Sequence, residues 1–218
     1  MEKNEIIEDA VKRFDSHLKQ GLAKSLPEQR RVLARYSAAI SDFDYWLALS
    51  AEAVRSDEAR KIIQDNLEVE RANDHAGLRA RFMESAGIRT SSADIRQSVK
   101  DLYYLGGDIF DRGYATALRK VAALAVMENA SGSFIPVLEK YAVNLGGRDL
   151  GYTKVHGVAD KEHAVELVKA LNLEVKAQMK AGHDKGFCDS AVKLGANITA
   201  EFLVNILNPN PQRYISFI

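Results

Sequence analysis

No segment of this chain alternates apolar and polar residues with period two, whereas almost every segment repeats its apolar positions at the roughly 3.6-residue spacing of a helix. Only 4 prolines interrupt 218 residues. Such a chain can bury its apolar stripes only by packing helix on helix, so the expected class is an all-α bundle of about seven or eight helices. With 46% hydrophobic content, one large domain over 1–218 is favoured over two.

The boundaries follow from capping residues and breakers. Ile6, Ile7, Ala10, Val11, Phe14 and Leu18 mark a helix over about 4–20 that Gly21 ends. Ser25-Leu-Pro27-Glu28 is a strong start, with an N-cap serine, an early proline and a glutamate at the third helical position. The helix it opens is predicted to run to about Val54, and Ser56 or Asp57 begins another that lasts to Gly87. A shorter amphipathic helix follows Thr90-Ser-Ser and ends near Tyr103, before Leu105-Gly-Gly107. An Ala-rich helix is predicted from about 108 to Asn129, with a break or kink at Ser131-Gly-Ser133 and a further helix from Phe134 to Leu145. The last two helices are placed at about 149–171 and 173–207. From about 208, Asn208-Pro-Asn-Pro211 forces an extended tail. Its Tyr214, Ile215, Phe217 and Ile218 are too apolar to stay in water and are expected to dock on the body or across a homodimer.

Lys plus Arg and Asp plus Glu balance at 30 each, which gives no electrostatic reason to expect nucleic acid or an anionic membrane as partner. A small molecule is the expected partner. The single cysteine, Cys188, excludes an intrachain disulfide framework and fits a reducing compartment. The N-terminus is charged where a signal peptide is apolar, and no apolar run reaches the roughly 20 residues of a membrane span, so a cytoplasmic protein is expected. There is no repeat and no low-complexity segment, and neither Gly-Gly pair lies in a phosphate-binding pattern.

The chemistry concentrates in His156-Gly-Val-Ala-Asp160-Lys-Glu-His163. Positions i, i+4 and i+7 of a helix lie within about 60° of one another, so these residues form one stripe of two imidazoles and a carboxylate. The bland reading is a polar helix face; yet the chain has only five histidines, and two share this face. Three ligands do not fill a coordination sphere suited to iron, manganese or zinc, which directs attention to other helices. Glu68 and His75 are seven apart and nearly eclipsed, whereas Glu70 and Asp74 are expected in solvent. Glu128 is the acid within the apolar stretch Val121–Glu128; it is either at a helix end in water or bound to something positive. Glu68, His75, Glu128, His156, Asp160 and His163 together supply three carboxylates and three imidazoles, enough for two metal ions with open positions.

In this order, Glu68-x6-His75, an isolated Glu128 late in an Ala-rich helix and His156-x3-Asp160-x2-His163 resemble the heme-oxygenase-like di-iron oxidases and oxygenases. That family shares its fold with thiaminase II and pyrroloquinoline quinone synthase and includes a chlamydial protein that associates with death domains. The resemblance covers about residues 26–205 and implies that the six residues bind two ferrous ions, with O2 as co-substrate; manganese is the alternative metal. It further implies an oxidase or oxygenase acting on a small amine- or amino-acid-derived molecule. Tyr152 matches a tyrosine that recurs in some members and is expected above His156, orienting substrate. Phe82, Val121, Leu124, Ala125, Leu167 and Ala170 flank the ligands and are expected to wall the substrate pocket. The pattern departs from ferritin-like Glu-x-x-His pairs, since position 72 is Ala, and Ser131-Gly-Ser133 is expected to alter one wall.

Three other functions compete. A histidine-aspartate phosphohydrolase finds its dipeptide in His183-Asp184 but no aspartate after Asp189. A cysteine hydrolase needs Cys188 activated by a base, where its neighbour Phe187 suggests a buried small hydrophobe. A helical iron-handling or interaction protein would keep the ligands without needing a substrate pocket.

Overall fold

The computed structural model describes residues 3–23, 25–89, 92–101 and 117–208. Among them the chain is helical and contains no strand. The helices are α1 (Lys3–Gln20), α2 (Leu26–Ala39), α3 (Phe43–Ala53), α4 (Asp57–Ala72), α5 (His75–Ser85), α6 (Ser92–Asp101), α7 (Ala117–Asn144), α8 (Gly151–Lys180) and α9 (Lys185–Leu207). The expected all-α bundle is the fold. The glycine pair at Gly106-Gly107 and the tail residues Tyr214, Ile215, Phe217 and Ile218 lie outside the described residues, and with them the docking and homodimer expectations.

Helix starts follow local chemistry closely. Ser25 and Glu28 form a reciprocal capping box, with Ser25 Oγ accepting from Glu28 N (3.4 Å) and Glu28 Oε2 accepting from Ser25 N (3.1 Å). Ser56 caps α4 by accepting from Ala59 N, and Asp184 caps α9 by accepting from Phe187 N. Helix ends follow it less well. The predicted helix 25–54 is two helices, because the chain turns at Ile40–Asp42, where the exposed Ser41 donates its Oγ hydrogen to Ala38 O (3.0 Å). The predicted helix to Gly87 also divides, at Asn73–Asp74, with Asp74 in the left-handed region at φ 50°.

Two predicted breaks are absent. α7 runs unbroken through Ser131-Gly-Ser133, since Ser131 and Ser133 donate back to the carbonyls of Glu128 (2.7 Å) and Ala130 (3.0 Å) and stay within the helix. Pro136 also sits inside α7; it and Gly132, four residues before, are exposed, so the carbonyl that loses its helical donor faces water. α8 passes through 171–173 because Asn172 Nδ2 bonds back to Val168 O (3.0 Å). The stop comes at Gly182, φ 97°.

α7 is the central helix, packed against α1, α2, α3, α5, α8 and α9. By length and composition alone it is apolar enough to cross a membrane, contrary to the sequence expectation; most of its apolar residues are buried within the bundle, with Val143 an exposed exception. α9 comes close enough that Gly195 lies against the Arg119 backbone, where a side chain would collide. An edge-to-face series of Phe14, Phe134, Tyr36 and Tyr152, with centroids 5.3, 5.4 and 6.4 Å apart, leads from this core to the histidines.

Candidate metal centre

The cluster is assembled by four helices. α4 brings Glu70, α5 begins with His75, α7 brings Glu128, and α8 brings His156, Asp160 and His163. The turn at Asn73–Asp74 decides which acid joins. Asp74 Oδ1 accepts from Gly77 N (3.2 Å) to cap α5, and a Cβ at Gly77 would collide with that carboxylate. With the helix broken there, the seven-residue stripe of one continuous helix no longer applies. Glu68 is exposed, and Glu70, expected in solvent, is 4% exposed, with Oε2 accepting from His75 Nδ1 at 2.6 Å. Glu70 therefore replaces Glu68 in the cluster.

Two groups of ligand-type atoms lie within 4.8 Å of one another: Glu70, His75 and His156 in one, and Glu70, Glu128 and His163 in the other. Glu70 belongs to both. A first-row metal bound at about 2.0–2.2 Å spans at most about 4.4 Å between opposite ligands, so small side-chain rotations bring each group into range. His163 Nδ1 stands 3.8 Å from Glu70 Oε1 and 3.9 Å from Glu128 Oε1, too far for hydrogen bonds. Asp160 belongs to neither group; its Oδ1 accepts from His156 Nδ1 at 2.7 Å, which fixes the ring.

Five polar atoms of this cluster are buried without a hydrogen-bond partner: Glu70 Oε1, His75 Nε2, His156 Nε2, Asp160 Oδ2 and His163 Nδ1. Carboxylates accept from Nδ1 of His75 and His156, so in the neutral rings Nε2 carries the free lone pair, as a metal ligand requires. Leaving such atoms bare costs about 1–3 kcal/mol each. The donor set of imidazoles and carboxylates suits iron, manganese or zinc, and the residues present fit two such ions. Burial, then the charges of Asp160 and Glu70, push the Glu128 carboxyl well above the usual carboxylate range. For His75 burial acts downward, and the hydrogen bond and charge of Glu70 overcome it and raise the ring.

A cavity of about 230 Å³ adjoins the cluster, bounded by Tyr36, Arg79, Met127, Phe134, Tyr152 and His156 among others. Both unforeseen turns shape it. Ile40–Asp42 forms part of its rim, and the turn before His75 aims that ring at its floor. Tyr152 is buried, with its ring centroid 4.2 Å from that of His156 and its hydroxyl 2.7 Å from the Tyr36 hydroxyl. Burial pushes both phenols up, against which the positive charge of Arg79 acts.

The expected pocket wall is not the wall. Phe82, Val121, Leu124, Ala125, Leu167 and Ala170 are fully buried core residues, and none borders the cavity. Leu124 shares a helical stripe with Glu128, Ser131 and Ile135, but the cavity opens on the C-terminal side of Glu128 and Leu124 packs beneath it. In the same way His75 and Arg79 border the cavity while Phe82 lies a turn deeper, against Tyr152.

The competing motifs have local uses. Asp184 caps α9 by accepting from Phe187 N (2.7 Å), and His183 stacks on Phe187 with centroids 4.5 Å apart. Cys188 is buried, and burial pushes its thiol up, away from a reactive thiolate.

No protein-family profile matches the chain, and no curated protein does. Among solved structures it is similar to a TenA homolog from Pseudomonas syringae pathovar tomato, with a TM-score of 0.69 and 14% identity, over 99% of this chain and 91% of that one. That likeness establishes the fold as the TenA type of heme-oxygenase-like bundle.

Proposed function

We propose that the protein is an O2-dependent oxidase or oxygenase with a di-iron centre, acting on a small amine- or amino-acid-derived molecule. One observation carries this reading: five buried, unpartnered ligand-type atoms converge beside a half-open cavity. Glu70 would contribute to holding both ions, His75 and His156 to holding one, and Glu128 and His163 to holding the other. Two ferrous ions held there supply the electrons that reduction of O2 requires; manganese is the alternative occupant. Asp160 holds His156 in the tautomer that offers Nε2. A Glu128 carboxyl raised by burial holds a proton more tightly, so proton and cation would compete there and metal uptake would depend on pH. Of the aromatic series, Tyr36, Phe134 and Tyr152 border the cavity and Phe14 packs behind Phe134, which gives the site one aromatic wall. Tyr152, beside His156 and hydrogen-bonded to Tyr36, is placed to orient a substrate by its hydroxyl, not to attack it.

The cavity separates this reading from an iron-handling protein, which needs no space beside the metals for a second molecule. Anaerobic ferrous titration should saturate near two equivalents per chain, and the loaded protein should consume O2 with a member of a panel of small amines, amino acids and fatty acids. Saturation below one equivalent removes the dinuclear centre. Full loading without O2 uptake across the panel leaves iron handling.

A further inference from the structure

The cavity contains one group that the metal centre does not use. Arg79 lies one helical turn after His75 on the same face of α5 and borders the cavity. Its Nη1 donates to Ile40 O at 2.8 Å, where the C-terminal end of α2 opens into the turn. This bond fixes the planar head and uses one of its five N–H donors. Among the described residues Arg79 has no ion-pair partner, although Asp42 and Asp44 also border the cavity. Its charge is close enough to act on both the Tyr36 and Tyr152 hydroxyls.

Capping α2 accounts for one donor and leaves a half-buried guanidinium unneutralised. In the metal-free site the carboxylates of Glu70 and Asp160, which also border the cavity, offset that charge at a distance. Two divalent cations held there would neutralise the carboxylates of the cluster and leave Asp42 and Asp44, neither of them ion-paired with Arg79, as the other acids bordering the cavity. An arginine fork held rigid in a small cavity is the arrangement that binds a carboxylate through two parallel N–H bonds.

We propose that Arg79 anchors the carboxylate of the substrate, which makes the substrate a small carboxylic acid of amino-acid size with its reacting carbon or nitrogen toward the histidines. The size limit follows from the cavity, about 230 Å³, below the roughly 300–1,000 Å³ of pockets for drug-sized ligands. The orientation follows from the one-turn offset between Arg79 and His75. The proposal rests on the oxidase reading for the reaction, but its binding chemistry concerns Arg79 alone.

The test is calorimetric binding to the full chain under nitrogen, with and without ferrous ion. The probes are the standard L-amino acids, each binder being measured again as its primary amide and as its des-amino acid. An acid is expected to bind roughly 10- to 150-fold more tightly than its amide, the worth of a hydrogen bond to a charged group. Arg79→Gln should remove that preference and Arg79→Lys should keep part of it. Loss of binding in the des-amino acid assigns an amino acid as ligand; retention assigns a simple carboxylic acid. A panel with no preference for acid over amide, or a preference that survives Arg79→Gln, overturns the proposal. Should Arg79→Gln fail to fold, the wild-type comparison and Arg79→Lys still decide it. Ferrous stoichiometry in the same samples separates the two readings. Two equivalents with no acid preference removes only the anchor; an acid preference without metal uptake removes only the di-iron reading.

Discussion

α4 meets α8 through buried carboxylates at both of its ends, and the two are opposites. At the N-terminal end Glu174 is fully buried and satisfied: Oε2 accepts from Arg55 N (2.8 Å) and Ser56 N (3.0 Å), and Oε1 accepts from Gln178 Nε2 (2.6 Å). At the C-terminal end Glu70 keeps Oε1 bare, among His75, His156, Asp160 and His163, which each also keep one atom bare. Burial is similar at both, so burial does not distinguish a structural acid from a binding acid. Satisfaction does. Glu174 anchors the start of a helix and has nothing left to offer a ligand, whereas the Glu70 cluster keeps bare atoms that a bound cation would satisfy.

The contrast breaks most sharply by exchanging acids within α4. Glu70→Ala should reduce ferrous binding from about two equivalents to below one, since Glu70 is in both ligand groups, and Glu68→Ala should leave it unchanged. His156→Ala or His163→Ala should each remove at least one equivalent. If Glu68→Ala is the variant that loses metal, the assignment of the shared acid is wrong.

At the other end, Glu174→Ala strands two backbone donors and an amide, which should cost about 2–4 kcal/mol in chemical denaturation while leaving metal stoichiometry intact. Equal stability in both proteins would dissolve the distinction between the two ends.

A smaller effect concerns pH in chelator-treated protein. Burial and neighbouring charge raise the Glu128 carboxyl above its ordinary 4.5, and Glu70 raises His75 above its ordinary 6.5 against the pull of burial. Both groups therefore hold protons more tightly folded than unfolded. The stability they lend is present at low pH and lost as pH rises from the unfolded carboxyl value through both folded values. Metal-free protein should melt lower at pH 8 than at pH 6, Glu128→Gln should flatten that slope, and ferrous ion should restore the melting temperature at pH 8. A slope indifferent to Glu128→Gln places the titrating group elsewhere.

The smallest effect expected is for Tyr152→Phe. The ring packing against His156 and Phe82 stays, and only the hydroxyl pair with Tyr36 is lost, about 0.5–1.5 kcal/mol, with metal stoichiometry unchanged. O2 uptake with a true substrate should slow. A variant that matches the parent in both stability and uptake removes Tyr152 from the substrate's surroundings.

The amino-acid sequence by itself determined the helical class, because apolar spacing is a local property that survives any arrangement of neighbours. It also determined the capping at Ser25 and Ser56 and the stripe His156, Asp160 and His163, which one continuous helix holds together. The identity of the partner acid was beyond its reach. Glu68 and Glu70 are both acids near the end of α4, and choosing between them needs the angle at which the chain leaves Asp74. That angle is set by the Asp74 side-chain cap and by Gly77, two residues beyond His75, together with the packing of α5 on α8. The pocket wall was similarly out of reach, because helical periodicity gives the direction in which Leu124, Phe82 and Leu167 point but not the depth at which a cavity opens along that direction. Only the termini of the other helices fix that depth, and here it falls above the carboxylates, at Arg79, Phe134 and Tyr152.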